Sequence, residues 1–349
     1  MWRGAIIGLG NVAIEGHLPA WRARDDVELV AATDARPVQR ARCASHLPDA
    51  RWHDSVDELL ARGALHFVDV CTPPASHAAI VRAALERGLH VLCEKPLVRA
   101  LDELPPIADL ARTSGRVLHT VHNWHHAPIV RTATDLVEGG EIGAVRRVTW
   151  HTLRTKPAGT ADAMGGNWRL DPAIAGGGVL SDHGWHVCYV IARWVGAWPV
   201  SVSARLETRR HTHSAVEDTA TLTLTFPEAT ADVLLTWAAD ERRNWALLEG
   251  ESGRIELHDD VLVLARDGVE RRWSCPPLSG GSHHPEWFGA VAESFIGAMS
   301  GAILPDMNLR EATLCATVES LARESSRQEG STLMLAAPIL GHPVASGLR

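Results

Sequence analysis

The sequence predicts an α/β fold in two parts: a doubly wound parallel sheet at the N-terminus, then a second α/β domain whose strands pair mainly antiparallel. Three observations predict it. With 349 residues the chain exceeds what one hydrophobic core usually serves. Over the first third, short apolar runs alternate with segments of helical spacing, the rhythm of parallel βαβ units. Beyond about His122 this gives way to β-rich runs joined by short turns, which divides the chain into residues 1–121 and 122–349.

Taken in order, residues 3–7, 27–33, 66–71, 89–93 and 117–121 are apolar, bounded by turn residues, and read as buried strands. Residues 17–24, 37–45, 55–62, 76–87 and 101–114 lie between them with helical spacing, several opening on Pro or Ser. In the second part, residues 146–153, 200–207, 219–226, 231–237, 254–257 and 261–264 predict strands. Residues 286–299 and 309–325 predict two closing helices, and Gly330 stands where the last one should stop. The tail after Pro338 is only weakly specified, and neither a repeat nor a low-complexity tract is visible.

Composition narrows the function. Hydrophobic residues make up 46% and charged residues 22%, as in ordinary globular proteins. The 34 basic against 42 acidic residues give a net charge of -8, which disfavours nucleic acid and anionic membranes and favours a small-molecule partner. Gly8, Gly10, Asn11 and Glu15 interrupt the apolar opening too early for a secretory signal or a membrane span. The six cysteines are scattered, as expected of reduced thiols, so a cytoplasmic setting is expected. Of the 19 histidines, His122, His125 and His126 cluster, as do His211 with His213 and His283 with His284. None joins Cys or acidic residues at a ligand spacing, so they are read as solvated loop histidines and no metal is expected.

Directly after the first predicted strand comes Gly8-Leu9-Gly10-Asn11-Val12-Ala13, a G-x-G-x-x-A dinucleotide fingerprint. Gly8 permits the tight turn, Gly10 admits the pyrophosphate, and Ala13 lets the following helix pack closely, its N-terminus facing the phosphate charge. Asp34 ends the second strand where an acidic residue takes the ribose hydroxyls, with Ala35 and Arg36 next to it. A carboxylate there disfavours a 2′-phosphate, so NAD is expected. NADP stays possible because Arg36 and Arg40 could accept that phosphate.

Chemistry is expected at the carboxyl ends of two further strands, the edge where open α/β sheets bind ligands. Cys71-Thr72-Pro73-Pro74 ends one and leads to His77, and Cys93-Glu94-Lys95-Pro96 ends the next. Lys95 there can hold a proton near a substrate oxygen, and a cis Lys95-Pro96 bond is predicted. Residues 176–186 form a glycine run followed by Ser181, Asp182, Gly184 and His186 on a helix start. Helical spacing puts Asp182, His186, Tyr189 and Arg193 on one stripe and Val187, Val190, Ile191 and Trp194 on another. The expectation is a shared pocket for Asp182 and His186, one turn apart.

Together the G-x-G-x-x-A turn, the E-K-P segment and G-G-G followed by D-x-G-x-H make the chain resemble the Gfo/Idh/MocA oxidoreductase family over nearly its whole length. The resemblance implies an N-terminal Rossmann doubly wound parallel sheet plus a C-terminal α/β domain with a large, mostly antiparallel sheet, whose open face builds homodimers or homotetramers. It implies Lys95, Asp182 and His186 as catalytic residues. Thr72, Pro73, His77, Glu94 and Asn123 would line the nicotinamide half of the cofactor site, and Trp168 and Arg169 match a pair near the active site. An Arg common shortly after the family's Asn is replaced by Trp124, His125 and His126, a departure that bears on substrate identity.

The mechanism expected is hydride transfer between nicotinamide and a hydroxyl-bearing carbon of a sugar or cyclitol. His186 would take the hydroxyl proton, Asp182 would orient and charge the imidazole, and Lys95 would bond the same oxygen. Tyr-x-x-x-Lys chemistry is excluded because the lone tyrosine, Tyr189, is followed four residues later by Arg193. A zinc dehydrogenase is disfavoured by the missing Cys ligand set. An NAD-dependent glycoside hydrolase of the same family and a non-catalytic NAD-binding sensor remain as alternatives. Trp124, Trp168 and Trp185 lie in or beside the motifs and could wall a sugar face, Trp168 being the one assigned to substrate.

Overall fold

The computed structural model describes residues 1–62, 64–159, 166–304 and 306–336, so the tail after Pro338 lies outside the described residues. The N-terminal part begins with β1 (Trp2–Ile7), a wide π-type turn (Val12–His17) and α1 (Leu18–Arg22). It continues through β2 (Val27–Thr33), α2 (Gln39–His46), β3 (Arg51–Trp52), α3 (Val56–Arg62), β4 (Phe67–Val70) and α4 (His77–Glu86) to β5 (His90–Cys93), α5 (Leu104–Ser114) and β6 (Leu118–Thr120). The strands form one parallel sheet in the order β3-β2-β1-β4-β5-β6. β4 and β5 are buried along their whole length, Asp69 and His90 included, as strands covered on both faces are. Chain order reverses between β1 and β4, and the crevice beyond the strand ends at such a switch point is where open α/β sheets take ligands.

The second part contains α6 (Pro128–Glu138), β7 (Val145–Leu153), α7 (Pro172–Ala175), a second wide turn (Leu180–Gly184), α8 (Trp185–Val195), β8 (Ser201–Glu207), β9 (Thr219–Thr225) and β10 (Thr230–Thr236). β11 (Arg243–Gly250), β12 (Arg254–His258), β13 (Val261–Arg266), β14 (Val269–Ser274), α9 (Pro285–Met299), α10 (Asp306–Arg327) and β15 (Leu333–Met334) follow. These strands make a nine-stranded sheet, β14-β13-β12-β11-β7-β10-β9-β8-β15, antiparallel except between β7 and β10. Alternation is plain in β9, where Ala220, Leu222 and Leu224 are buried while Thr221, Thr223 and Thr225 are partly exposed. The buried face packs in one core with Val187, Val190, Ile191 and Trp194 of α8 and Leu314 and Val318 of α10. β3, α6, β11, β14 and β15 were not expected from the sequence.

The sequence boundary falls between the two sheets, yet the cores are not divided there. Phe288, Val291, Ala292 and Phe295 of α9 pack with Trp21, Phe67, Leu92 and Val121 of the N-terminal part. Asn308 of α10 accepts the Thr120 N–H at 2.6 Å and donates to the Thr120 carbonyl at 2.9 Å, so the edge of β6 is closed by a late helix. All six cysteines are free thiols. Among the described residues no helix is long and apolar enough to cross a membrane.

Candidate active site

Gly8 ends β1 at a φ of +95°, and a Cβ on it would stand 2.8 Å from the Cys71 carbonyl carbon, so only glycine fits. A Cβ on Gly10 would meet nothing within 4 Å. That open space lies at the start of the wide turn, where Asn11 and Val12 begin the helix and its free N–H groups collect. Asp34 is buried at the end of β2; its Oδ2 accepts the Leu9 N–H at 2.8 Å and its Oδ1 accepts the Arg36 N–H at 2.8 Å. Arg36 also folds its guanidinium onto that carboxylate at 3.2 Å. Glycine turn, Asp34, Ala35 and Arg36 are thereby one connected loop pair, with a cradle for a pyrophosphate and a carboxylate beside it.

At the ends of β4 and β5, His77 is fully buried with its ring nitrogens 2.7 Å from the Thr72 carbonyl and 2.8 Å from the Pro96 carbonyl. It clamps the two strand ends together, while Ser76 Oγ donates to Thr72 Oγ1 at 2.8 Å just beyond Pro73. Glu94 accepts the Lys95 N–H at 3.0 Å and meets His17 Nε2 at 3.0 Å. On its other side His17 Nδ1 lies 2.9 Å from Asp69 Oδ2 and 3.1 Å from Cys71 Sγ. Burial opposes a charge on His17, yet Asp69 and Cys71 hold its pKa well above the ordinary value, so an imidazolium sits between two carboxylates beneath the site. Among the described residues His17, Asp69 and Cys71 are the one group whose ligand atoms gather as a metal site would, a grouping that no spacing in the sequence announces. Asn123, at the mouth of the same crevice, has a buried Oδ1 with no partner, the kind of acceptor that a carboxamide N–H satisfies.

Lys95 crosses from β5 to the second part. Its Nζ donates to the Asp182 carbonyl at 2.6 Å and pairs with Asp182 Oδ1 at 3.2 Å; the Lys95-Pro96 bond is cis, as expected. Arg169 Nε stands 3.9 Å from the same Oδ1 and its guanidinium lies 4.3 Å over the Trp168 ring. His183 Nε2 is 3.5 Å from Asp182 Oδ2. Burial would raise the Asp182 carboxyl, but Lys95, His183 and Arg169 hold it far below the usual carboxylate range.

The expected Asp182–His186 pair does not form. His186 Nδ1 is instead 2.9 Å from Tyr189 Oη, and its ring stacks on Trp124 with centroids 4.6 Å apart and planes 7° off parallel. The cause is competition for partners: Lys95 and Arg169 draw the Asp182 carboxylate to themselves, while Tyr189 and Trp124 hold the His186 ring. Nor is His186 charged by Asp182. Burial, then Lys95 and His183, press its pKa well below the ordinary value and keep it neutral.

Residues 2–122 match the family description "Oxidoreductase family, NAD-binding Rossmann fold", and residues 130–256 match "GFO/IDH/MocA C-terminal domain". The chain belongs to the Gfo/Idh/MocA oxidoreductase family. D-xylose 1-dehydrogenase (NADP(+)) 2 of Haloferax volcanii is 33% identical over 187 residues, 54% of this chain and 54% of that protein. D-glucoside 3-dehydrogenase of Escherichia coli is 32% identical over 187 residues, 53% of this chain and 51% of that protein. The chain thus matches these relatives over about half their length. D-apiose dehydrogenase of Paraburkholderia graminis is 26% identical over 286 residues, covering 79% and 73%. In fold, levoglucosan dehydrogenase in complex with NADH and levoglucosan superimposes with a TM-score of 0.83 at 23% identity, over 95% of this chain and 99% of that one.

Within the Gfo/Idh/MocA frame, several residues around the site escaped the sequence reading. His122 and His125 are not solvated loop histidines: His122 Nδ1 and His125 Nε2 each lie 3.0 Å from the Glu311 carboxylate of α10. His122 Nε2 also accepts the Trp185 indole N–H at 3.1 Å, which makes Trp185 part of the core and no wall for substrate. Trp124 backs the His186 ring, and its main-chain N–H donates to Tyr189 Oη at 3.0 Å. Arg154, just beyond β7, is buried within electrostatic reach of Asp182. The Trp124-His125-His126 run was the available signal, visible only as a departure from the family pattern.

Proposed function

We propose that this member of the family transfers a hydride between a nicotinamide dinucleotide and a hydroxyl-bearing carbon of a sugar or cyclitol, with residues 1–121 holding the cofactor and 122–349 the substrate. The carrying observation is the contact of Lys95 Nζ with Asp182 across the two halves, at the carboxyl end of β5, two strands along the sheet from β1 and its glycine turn. Bound NAD supplies the hydride acceptor. Asp34 with the Gly8–Gly10 turn would hold the adenosine and pyrophosphate, and Asn123 Oδ1 would take the carboxamide. NAD is the cofactor proposed because Asp34 stands where a 2′-phosphate would fall, while Arg36 keeps NADP within reach.

As the carbon gives up its hydride, its hydroxyl proton passes to Nε2 of the neutral His186. In the tautomer that leaves Nε2 bare, Nδ1–H donates to Tyr189 Oη. Lys95, anchored by Asp182, donates to the same oxygen and stabilises the developing alkoxide. Lys95→Ala and His186→Ala should each lower kcat by about 10²–10⁴ while NADH affinity, read by tryptophan fluorescence, barely changes. Full activity in either variant removes that residue from the mechanism.

A homodimer or homotetramer in the cytoplasm completes the proposal. Leu153, Leu234, Trp245 and Leu247 remain only partly covered on the nine-stranded sheet, a face suited to a second copy, and the thiols are unpaired.

A further inference from the structure

Once Lys95 and Asp182 have paired, the substrate side keeps positive charge with no counter-ion. Arg154 is 3% exposed, and its guanidinium donates only to neutral acceptors: the Leu153 carbonyl at 2.8 Å, the Arg243 carbonyl at 3.2 Å and Asn244 Oδ1 at 3.4 Å. Its Nε is buried without a partner, and among the described residues no carboxylate comes within ion-pair distance. Arg242 likewise donates only to main-chain carbonyls, those of Ser279 at 2.7 Å and Gly281 at 2.6 Å. Both guanidinium groups lie within electrostatic reach of Asp182 and His183.

Among the described residues Glu94, beside Lys95, is held by His17, Asp182 is shared by Lys95 and Arg169, and Arg242 is exposed to solvent, which leaves Arg154 as the buried cation without an anion; the other carboxylate near it is Asp259. Asp259 is already occupied by the Asn244 N–H at 3.0 Å and by the Ser279 N–H and Oγ at 3.0 and 2.7 Å. A buried guanidinium without an anion is costly, and oxidised nicotinamide would add a further positive charge nearby. The donors left over are single N–H edges, Arg154 Nε and Arg169 Nε. His183 Nδ1 is also buried and unpartnered; with Nε2–H turned to Asp182 it is an acceptor, suited to a hydroxyl.

We infer that the sugar taken by this site carries a carboxylate, as in a uronic or aldonic acid, and that Arg154 is the residue that recognises it. Single guanidinium edges suit two carboxylate oxygens better than the three of a phosphate ester. The inference rests on the sugar-oxidoreductase reading above.

Calorimetric titration of the full-length protein saturated with NADH tests it, using glucuronate, galacturonate and gluconate against glucose, galactose, glucitol and a hexose phosphate. At least one acid should bind about tenfold or more tighter than its neutral counterpart, and R154M should erase that gap. If R154M fails to fold, R242Q should narrow it. The inference is overturned if no acid binds, if neutral sugars or the phosphate bind as tightly, or if the acid preference survives in folded R154M. NADH formation is scored separately. Turnover of neutral sugars alone upholds the dehydrogenase reading and sinks this inference, whereas acid-selective binding without any turnover upholds the carboxylate site and sinks the reading.

Discussion

Tyr189 shows how one side chain sets the chemistry of another. It is the chain's single tyrosine, buried among His122, His125 and Trp124, and its Oη lies 2.9 Å from His186 Nδ1 while accepting the Trp124 N–H. Tyr189→Phe removes the partner that keeps Nδ1 engaged and leaves a buried N–H unpaired, a change worth about 1–3 kcal/mol. The expected outcome is a kcat at least about tenfold lower with a displaced pH–rate profile and unchanged NADH affinity. An unaltered profile would show that Tyr189 only fills space. Lys95, Asp182 and His186 were legible as candidates because the E-K-P and D-x-G-x-H motifs of the family carry them. Their pairing was not, since it depends on which side chain meets the Asp182 carboxylate across the two halves.

At the level of elements, α9 is the piece that sequence order conceals. Its apolar spacing announces a helix but not its docking site. Phe288 stacks on His17 with centroids 3.7 Å apart and meets Trp21 edge-on, so a helix from the second part covers the buried His17–Asp69–Glu94 cluster. Phe288→Ala should cost about 3–5 kcal/mol, seen as a lower urea midpoint, and should loosen cofactor binding as well as the fold; a purely local effect on stability would argue against that coupling. Strands were readable where one face is buried and the other is not, as in β9. β14 runs exposed over nearly its whole length at the sheet edge, and β3 and β15 are two residues each, so neither periodicity nor burial marks them.

For the molecule as a whole, buried histidines dominate the response to acid. Burial lowers the pKa of His77, His119, His122, His183 and His186, His119 and His183 to about 3, against an ordinary 6.5. The unfolded chain therefore binds more protons than the native one below pH 6.5, and each such group costs about 1.4 kcal/mol per pH unit there. Glu94, Asp182 and Glu311, whose pKa values are lowered, add to the loss once the pH falls through the ordinary carboxylate range. His17 works the other way, stabilising below 6.5 and losing that contribution as the pH rises through its raised native value. Thermal denaturation should show Tm falling steeply between pH 7 and 5. A flat Tm over that interval would mean that these side chains are solvated.

The amino-acid order alone determined the two-part α/β architecture, the dinucleotide turn and the candidates for the reacting side chains, because apolar periodicity, glycine conformation and donor chemistry are local properties. Tertiary structure alone decided which of those side chains meet. Lys95 and Asp182 stand 87 residues apart and Glu311 reaches His122 from 189 away, and the unpaired charge on Arg154 exists only because folding removed water without supplying an anion. Such contacts depend on how sheets and helices close over one another, and no local pattern along the chain encodes that.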